Sequence, residues 1–423
     1  MRASIGAGAA FGVLDIGTGK TVCLIVAPPN SRANGLWRRQ APSVLGYGLQ
    51  PSRGLKAGAV IDLDGAEQVL RAAVTQAEEA AGLAVEEVMV AVGGVRLKSL
   101  AFEAETRVAD RIVADADAQR LAAAGRNYAQ RDGRSLLHLE RLAWRLDGAA
   151  GVPNPLGMAG DLLSADFHAV TVEEAPLRNL LHVAERAFLA PTGVAPAGYA
   201  SGLAVTTEAE RQLGVTAVDM GAGSSALAMF ADGHLLAVDT VAVGGQHITF
   251  DIARTLSAPF AEAERLKTLH GSVEEGAAED LEMVSYALSG VQEPALAEAA
   301  KADINEIVAG RMTDLLGRVL ERIERSGVAE QAGQTIVLTG GGSQLRGLAD
   351  FAQDLLGRPV RVGQPDAAEG LPAAYCNPVF STAVGLIPIA LKPGVRLDGR
   401  RAGGTSRGAG YFRRVGQWLR EGF

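Results

Sequence analysis

Cysteine is nearly absent from this 423-residue chain, with Cys23 and Cys376 as its two representatives. Two thiols cannot build a disulfide framework or a zinc cluster, and such sparse use suits a reducing compartment. Aromatic residues make up 5%. Positive charge is not in excess either, the formal net charge being −8. A general nucleic-acid binder needs a dominant basic field to recruit phosphates, so nucleic acid is not an expected partner. No run of about 18 apolar residues occurs, so no bilayer-spanning helix is expected. The short apolar stretch at residues 7–14 stops at Asp15 with no small-residue cleavage site behind it, and does not read as a secretion signal.

What is present describes a folded body. Apolar residues account for 48% and charged ones for 21%, near the averages for globular proteins. The length calls for two or three domains, or one large two-lobed body. Phe11-Gly-Val-Leu-Asp15-Ile-Gly17-Thr18-Gly19-Lys20 is followed by the apolar run Val22 to Val26, which predicts a β-hairpin with a tight glycine turn. About two hundred residues later the pattern returns as Val215-Thr-Ala-Val-Asp219-Met-Gly221-Ala222-Gly223-Ser224-Ser225, again running into an apolar strand. A repeat of that length is a duplicated domain, because solenoid periods run about 20 to 50 residues.

Helical apolar spacing marks Leu63–Ala81 and residues 176–190, and residues 88–92 read as a short strand ending at Gly93-Gly94. Residues 95–169 mix strand and helix patterns and are assigned to an inserted subdomain. The segment 334–339 is β-rich and broken by Gly340-Gly341-Gly342. Leu345, Leu348, Ala349, Ala352, Leu355 and Leu356 then share a helical face until Gly357.

Two familiar phosphate motifs fail. Gly19-Lys20-Thr21 resembles the end of a P-loop, but Leu14 stands where its first glycine is required, and a strand follows in place of a helix. Gly6-Ala-Gly8 precedes the first strand instead of following it, which excludes a Rossmann fingerprint. What remains is the pair of hairpins. Glycine turns leave amides free to face an anion, with no Cβ to block approach. Asp15 and Asp219, if the lobes pack as a pseudo-symmetric pair, would face one cleft and could hold hydrated Mg²⁺ beside a triphosphate. Either Asp-x-Gly-x-Gly alone would be an ordinary tight turn; two copies with a third glycine turn point to nucleotide, with adenine and α-phosphate lying against Gly340, Gly341 and Gly342.

The C-terminal residues differ in character. From Lys392 onward eight Lys or Arg face two acids, so a basic tail follows an acidic body. Residues 393–409 are rich in Gly and Arg without periodicity and read as a flexible linker. In 410–423, Tyr411, Phe412, Val415, Trp418, Leu419 and Phe423 sit at helical spacing, with Arg413, Arg414 and Arg420 around the polar side. That amphipathic pattern suits an anionic membrane surface.

The order of hairpin, second hairpin and glycine turn is similar to the actin, hexokinase and Hsp70 ATPase superfamily. Ser52-Arg-Gly54, Ala91-Val-Gly-Gly94, Asn154-Pro-Leu-Gly157, Val337-Leu-Thr-Gly340 and Ser381-Thr-Ala-Val-Gly385 resemble, in order, segments of the FtsA family of cell-division proteins. The resemblance implies an α/β, two-lobed actin-like ATPase fold of duplicated RNase H-like domains. Its subdomains would be IA (1–92, 170–205, 372–392), IC (93–169), IIA (206–234, 301–371) and IIB (235–300).

It further implies nucleotide contacts from Gly17, Thr18, Gly19, Lys20, Gly221, Ala222, Gly223, Ser224, Ser225, Gly340, Gly341 and Gly342. Glu264 and Lys267 match positions that contact ribose and base in bacterial actin relatives. ATP and Mg²⁺ are the implied cofactors. FtsZ, other division proteins and further copies in an actin-like filament are the implied partners, at the cytoplasmic side of the inner membrane at the division site. Ala222, Ser224 and Ala226 depart from the residues usual in the second hairpin. No residue is singled out for activating water, so ATP binding is expected with weak or no hydrolysis. An actin-like pilus-assembly protein or a sugar kinase of the same fold are the alternatives.

Overall fold

The computed structural model describes residues 10–392 except 30–31, 34–35, 38–40, 95, 131–132, 275–280, 290–295 and 367. The linker and amphipathic helix expected over 393–423 therefore lie outside the described residues.

Two five-stranded sheets carry the molecule, and the second repeats the wiring of the first. In the first lobe, Phe11–Ile16 lies between Lys20–Ala27, antiparallel, and Glu87–Val92, parallel; Ser43–Pro51 and Ala190–Pro196 form the edges. In the second, Val215–Met220 lies between Ser225–Ala231 and Ile336–Thr339 in the same senses, with His234–Val241 and Val360–Val362 outside. The equivalence extends to register: Asp15 faces Val22 across its hairpin and Asp219 faces Ala226 across the other. Both leading strands are apolar runs covered on both faces, as parallel pairing between helices demands.

The helix Leu63–Ala81 begins where Asp62 accepts from the amides of Asp64 and Gly65, and ends at Gly82 in the left-handed region (φ 68°). It lies on Ser43–Pro51 so closely that a Cβ on Gly48 would stand 1.9 Å from the Ala73 carbonyl oxygen. Between the lobes, Ala197–Val205 and Ser381–Leu391 cross, and the first lobe's apolar core continues through them to Ala217, Phe230 and Val337 of the second sheet.

The expected insertion is an antiparallel sheet in the order Ala149–Val152, Arg134–Leu146, Leu162–Glu173, Leu97–Arg107, backed by the helix Asp115–Ala129. Gly245–Thr255, Phe260–His270, the ribbon Met283–Ala287 with Leu296–Ala300, and the helix Lys301–Arg325 complete the second lobe.

Three sequence expectations move. Residues 235–241, placed in IIB, belong to the second sheet, because Asp232 (φ 52°) and Gly233 (φ 78°) make a tight turn that keeps the chain in the ladder. The helix expected from residue 345 starts at Leu348, after a 3₁₀ turn Gly341–Gln344 and Gly347 at φ 77°, and Leu355 is exposed. The helix expected over 176–190 is Glu174–Arg186, since Ala190 already opens an edge strand.

Candidate functional site

Two-residue turns close both hairpins in the same way: Gly17 donates to the Lys20 carbonyl at 2.9 Å, and Gly221 to that of Ser224 at 3.1 Å. None of Gly17, Gly19, Gly221 and Gly223 has a positive φ, so the glycines serve close approach. A Cβ on Gly19 would stand 2.7 Å from the Ala222 Cβ, and one on Gly223 2.9 Å from the Thr18 Oγ1. The two turns therefore meet face to face. The amides of Thr18, Gly19, Ala222 and Gly223 donate to no acceptor among the described residues.

Behind the turns sit the two carboxylates. Asp15 is buried and accepts from the Lys20 ammonium at 3.2 Å. Burial pushes the Asp219 carboxyl up from its ordinary range; Lys20 pulls it down and Asp15 raises it again, so all three groups share one electrostatic neighbourhood. Thr382 donates to Asp219 Oδ2 at 2.9 Å, and Ser201, whose hydroxyl donates to the Gly198 carbonyl at 3.2 Å, lies beside the same carboxyl and pulls it down as Thr382 does. These hydroxyls come from the two crossing helices, and sequence reading missed both. Nothing in their local pattern separates them from other small helical residues.

The third glycine turn closes on the same carboxylate. Gly340 has φ 79°, and a Cβ there would stand 2.3 Å from Asp219 Oδ1. Gly342 packs on Met220, whereas a Cβ on Gly341 would meet nothing nearer than Val379 at 4.0 Å, leaving an open face. The helix Gly245–Thr255 is tied to the second hairpin, its first amides donating to the carbonyls of Gly221 and Ala222 at 2.9 Å each. On the next helix, Lys267 donates to Glu264 at 2.7 Å, Thr249 at 2.9 Å and the Gly245 carbonyl at 3.2 Å. Ser225 is buried and donates to the Val243 carbonyl at 2.9 Å, so its hydroxyl is committed to the fold. Ser224 lies at the turn's far end. The structure sets the two hairpin turns against each other, Gly340 against Asp219, and Lys267 with Glu264 on Gly245 and Thr249 beside the second hairpin; Tyr411, Phe412, Arg413, Arg414, Val415, Trp418, Leu419, Arg420 and Phe423 lie outside the described residues.

Removing the Thr382 hydroxyl tests its hold on a buried carboxylate. Thr382→Val is expected to destabilise the protein by about 1–3 kcal/mol in chemical denaturation, with Thr382→Ser restoring the midpoint. An unchanged Val variant would mean the hydrogen bond contributes nothing.

Duplicated sheets in one strand order, hairpin turns meeting across a cleft and two helices crossing beneath them define an actin-like ATPase fold. A chain of the PilM-PilN type IV pilus biogenesis complex superposes with a TM-score of 0.65 at 17% identity, covering 92% of this chain and 100% of that one. MreB5 of Spiroplasma citri bound to ADP gives 0.52 at 14%, covering 89% and 95%. At these identities the likeness is one of fold. Family models narrow it: cell division protein FtsA matches residues 216–385, and the SHS2 domain inserted in FtsA matches 94–171. The FtsA of Rhizobium meliloti is 40% identical over 97% of this chain and 94% of its own, and that of Agrobacterium fabrum 38% over the same shares. The Escherichia coli protein is 28% identical over 97% of each. The chain belongs to the FtsA family of cell-division proteins.

Proposed function

We propose that the chain is an actin-like cell-division adaptor that binds Mg-ATP in the cleft, polymerises, and tethers FtsZ to the inner face of the membrane through its C-terminal helix. The observation that carries the nucleotide half is the cluster at Asp219. Two carboxylates and one ammonium leave a surplus negative charge beside four unengaged turn amides and an open glycine face. This donor set fits a magnesium polyphosphate: Mg²⁺ needs one or two carboxylates plus phosphate oxygens and water, and the amides and Lys20 suit phosphate. When bound, the ion would neutralise phosphate charge. Asp15 and Asp219 would hold it; Gly17 to Lys20 and Gly221 to Ser225 would hold phosphate; Gly340 to Gly342 would offer their backbone to the nucleoside, with Glu264 and Lys267 on its ribose side. Solved MreB5 chains of the same fold carry ADP and AMPPNP, which supports the reading.

The turns already touch, so phosphate between them replaces turn-to-turn packing with turn-to-phosphate bonds. That exchange acts on the angle of lobes joined by the crossing helices, and selects the conformation that adds to a filament.

No helix among the described residues is long and apolar enough to cross a membrane, and the basic amphipathic pattern of 410–423 supplies the tether. One such helix binds weakly, and a filament carrying many multiplies its avidity. Deleting 410–423 is expected to lower sedimentation with anionic vesicles by at least roughly tenfold and to abolish FtsZ recruitment to them. Undiminished sedimentation would overturn the tether, and loss of lipid binding without loss of FtsZ recruitment would overturn the adaptor.

A further inference from the structure

Three of the chain's six histidines meet at one joint. There the inserted sheet lies against the edge strand His234–Val241 of the second lobe. We infer that this joint is a proton-operated latch, in which the inserted subdomain releases the second lobe when His168 takes up a proton.

The geometry makes His168 the sensitive member. Its ring is fully buried; Nε2 lies 2.6 Å from the Ser99 Oγ, and Nδ1 has no partner among the described residues. The same Ser99 oxygen accepts from the Val238 amide of the second lobe at 3.1 Å. An imidazolium carries two N–H donors, and one of them would point into a buried space with no acceptor. The docked joint therefore requires a neutral ring. Separation would return the ring to water and restore its ordinary basicity.

Glu140 makes the second contact across the joint. It pairs with His234 Nδ1 at 2.9 Å, accepts from the Leu235 amide at 3.3 Å, and lies 3.4 Å from His138 Nε2. The His138 ring lies 4.7 Å from that of Tyr199, whose hydroxyl accepts from Lys392 at 3.1 Å. The charges that reach His168 are those of His138 and Glu140. The other charged groups here are engaged or turned to water: Arg134 is bonded to Thr171, Asp239 pairs with Arg322, Lys98 is exposed, and Arg211 acts on Tyr199.

The two contacts respond to acid differently. Burial, which raises the Glu140 carboxyl, is outweighed by hydrogen bonds and charge from His138 and His234, which hold it down at about 2. It stays ionised throughout the histidine range, so this contact is kept as pH falls. Its pairs with His138 and His234 are partly solvated and correspondingly weak. Burial and then His138 depress His168 from 6.5 to about 3. A depressed folded value means that the contribution of neutral His168 is fully present above 6.5 and is lost as pH falls towards 3. Glu140 does not change over this range, whereas the enclosed His168 has no acceptor for a second N–H, so acid opens the joint.

The test is a dye pair at Gln119→Cys and Glu321→Cys in a Cys376→Ser background, read by energy transfer from pH 8 to 4.5 with far-UV circular dichroism alongside. The expected result is a reversible lengthening below pH 6.5 with secondary structure retained, absent in His168→Gln. His138→Gln, which removes a positive neighbour of His168 and so brings its docked basicity closer to the ordinary value, should move the opening to lower pH and serves if the first variant does not fold. A separation that stays constant to pH 4.5, an identical profile in His168→Gln, a His138→Gln midpoint that does not fall, or opening that coincides with loss of circular dichroism would each overturn the latch.

Discussion

Asp219→Asn is expected to make the nucleotide-free protein more stable while removing its response to magnesium and ATP. The carboxyl is pushed up by burial and by Asp15, against the pull of Lys20, so the fold disfavours its charged form. For an acid raised in the folded state, the favourable contribution lies below the unfolded value and is lost as pH rises through the folded one. Asparagine keeps the shape and an acceptor for Thr382 while removing the charge. Thermal denaturation without ligand should rise by about 2–4 °C. Mg-ATP affinity by calorimetry should fall by roughly 30-fold or more, about 2 kcal/mol, with little change when magnesium is chelated. Asp15→Asn is the contrast. Asp15 has Lys20 as its partner at 3.2 Å, so neutralising it should bring no comparable gain. A less stable Asp219→Asn protein with intact magnesium dependence would show that Asp219 is structural.

The duplication was legible because it is written in short-range chemistry. Apolar runs of strand length, each closed by Asp-x-Gly-x-Gly, predict hairpins wherever they occur, and both hairpins formed in matching register at Asp15 and Asp219. Helix limits set by caps were readable too: Asp62 and Gly82 bound Leu63–Ala81. What failed was local spacing without punctuation. Leu345 and Leu355 fit a helical period, yet Gly347 at φ 77° restarts the backbone between them.

At the site, the residues contributed by turns were visible, whereas those contributed by tertiary approach were not. Thr382 lies 163 residues from Asp219, and only the crossing of two helices brings it there. The histidine joint was hidden for the same reason, since His138, His168 and His234 come from three strands of two sheets. One available signal was passed over. Gly244-Gly245 after an apolar strand marks a helix start with no Cβ, and a Cβ on Gly244 would stand 2.5 Å from the Gly221 carbonyl oxygen.

Gly385→Ala should be among the most damaging single-methyl additions in the molecule. Alanine is ordinarily favoured over glycine inside a helix by about 1 kcal/mol, yet here its Cβ would stand 1.7 Å from the Ala200 carbonyl oxygen and 2.4 Å from its carbon. Both are backbone atoms, so no side-chain rotation relieves the contact. The helices Ser381–Leu391 and Ala197–Val205 must separate by roughly 1.5 Å to restore ordinary van der Waals distance. The same movement draws Thr382 and Ser201 from Asp219 and opens the core that joins the lobes. The expected loss is about 3 kcal/mol, at the upper end for overpacking, read from the urea midpoint. Gly310→Ala, on a helix where the added Cβ meets nothing within 4 Å, should instead stabilise by about 0.5–1 kcal/mol. Ala200→Gly should not rescue Gly385→Ala, because the obstruction is the carbonyl and not the methyl. Rescue, or a Gly385→Ala protein as stable as the Gly310→Ala control, would mean that the lobes do not depend on this crossing.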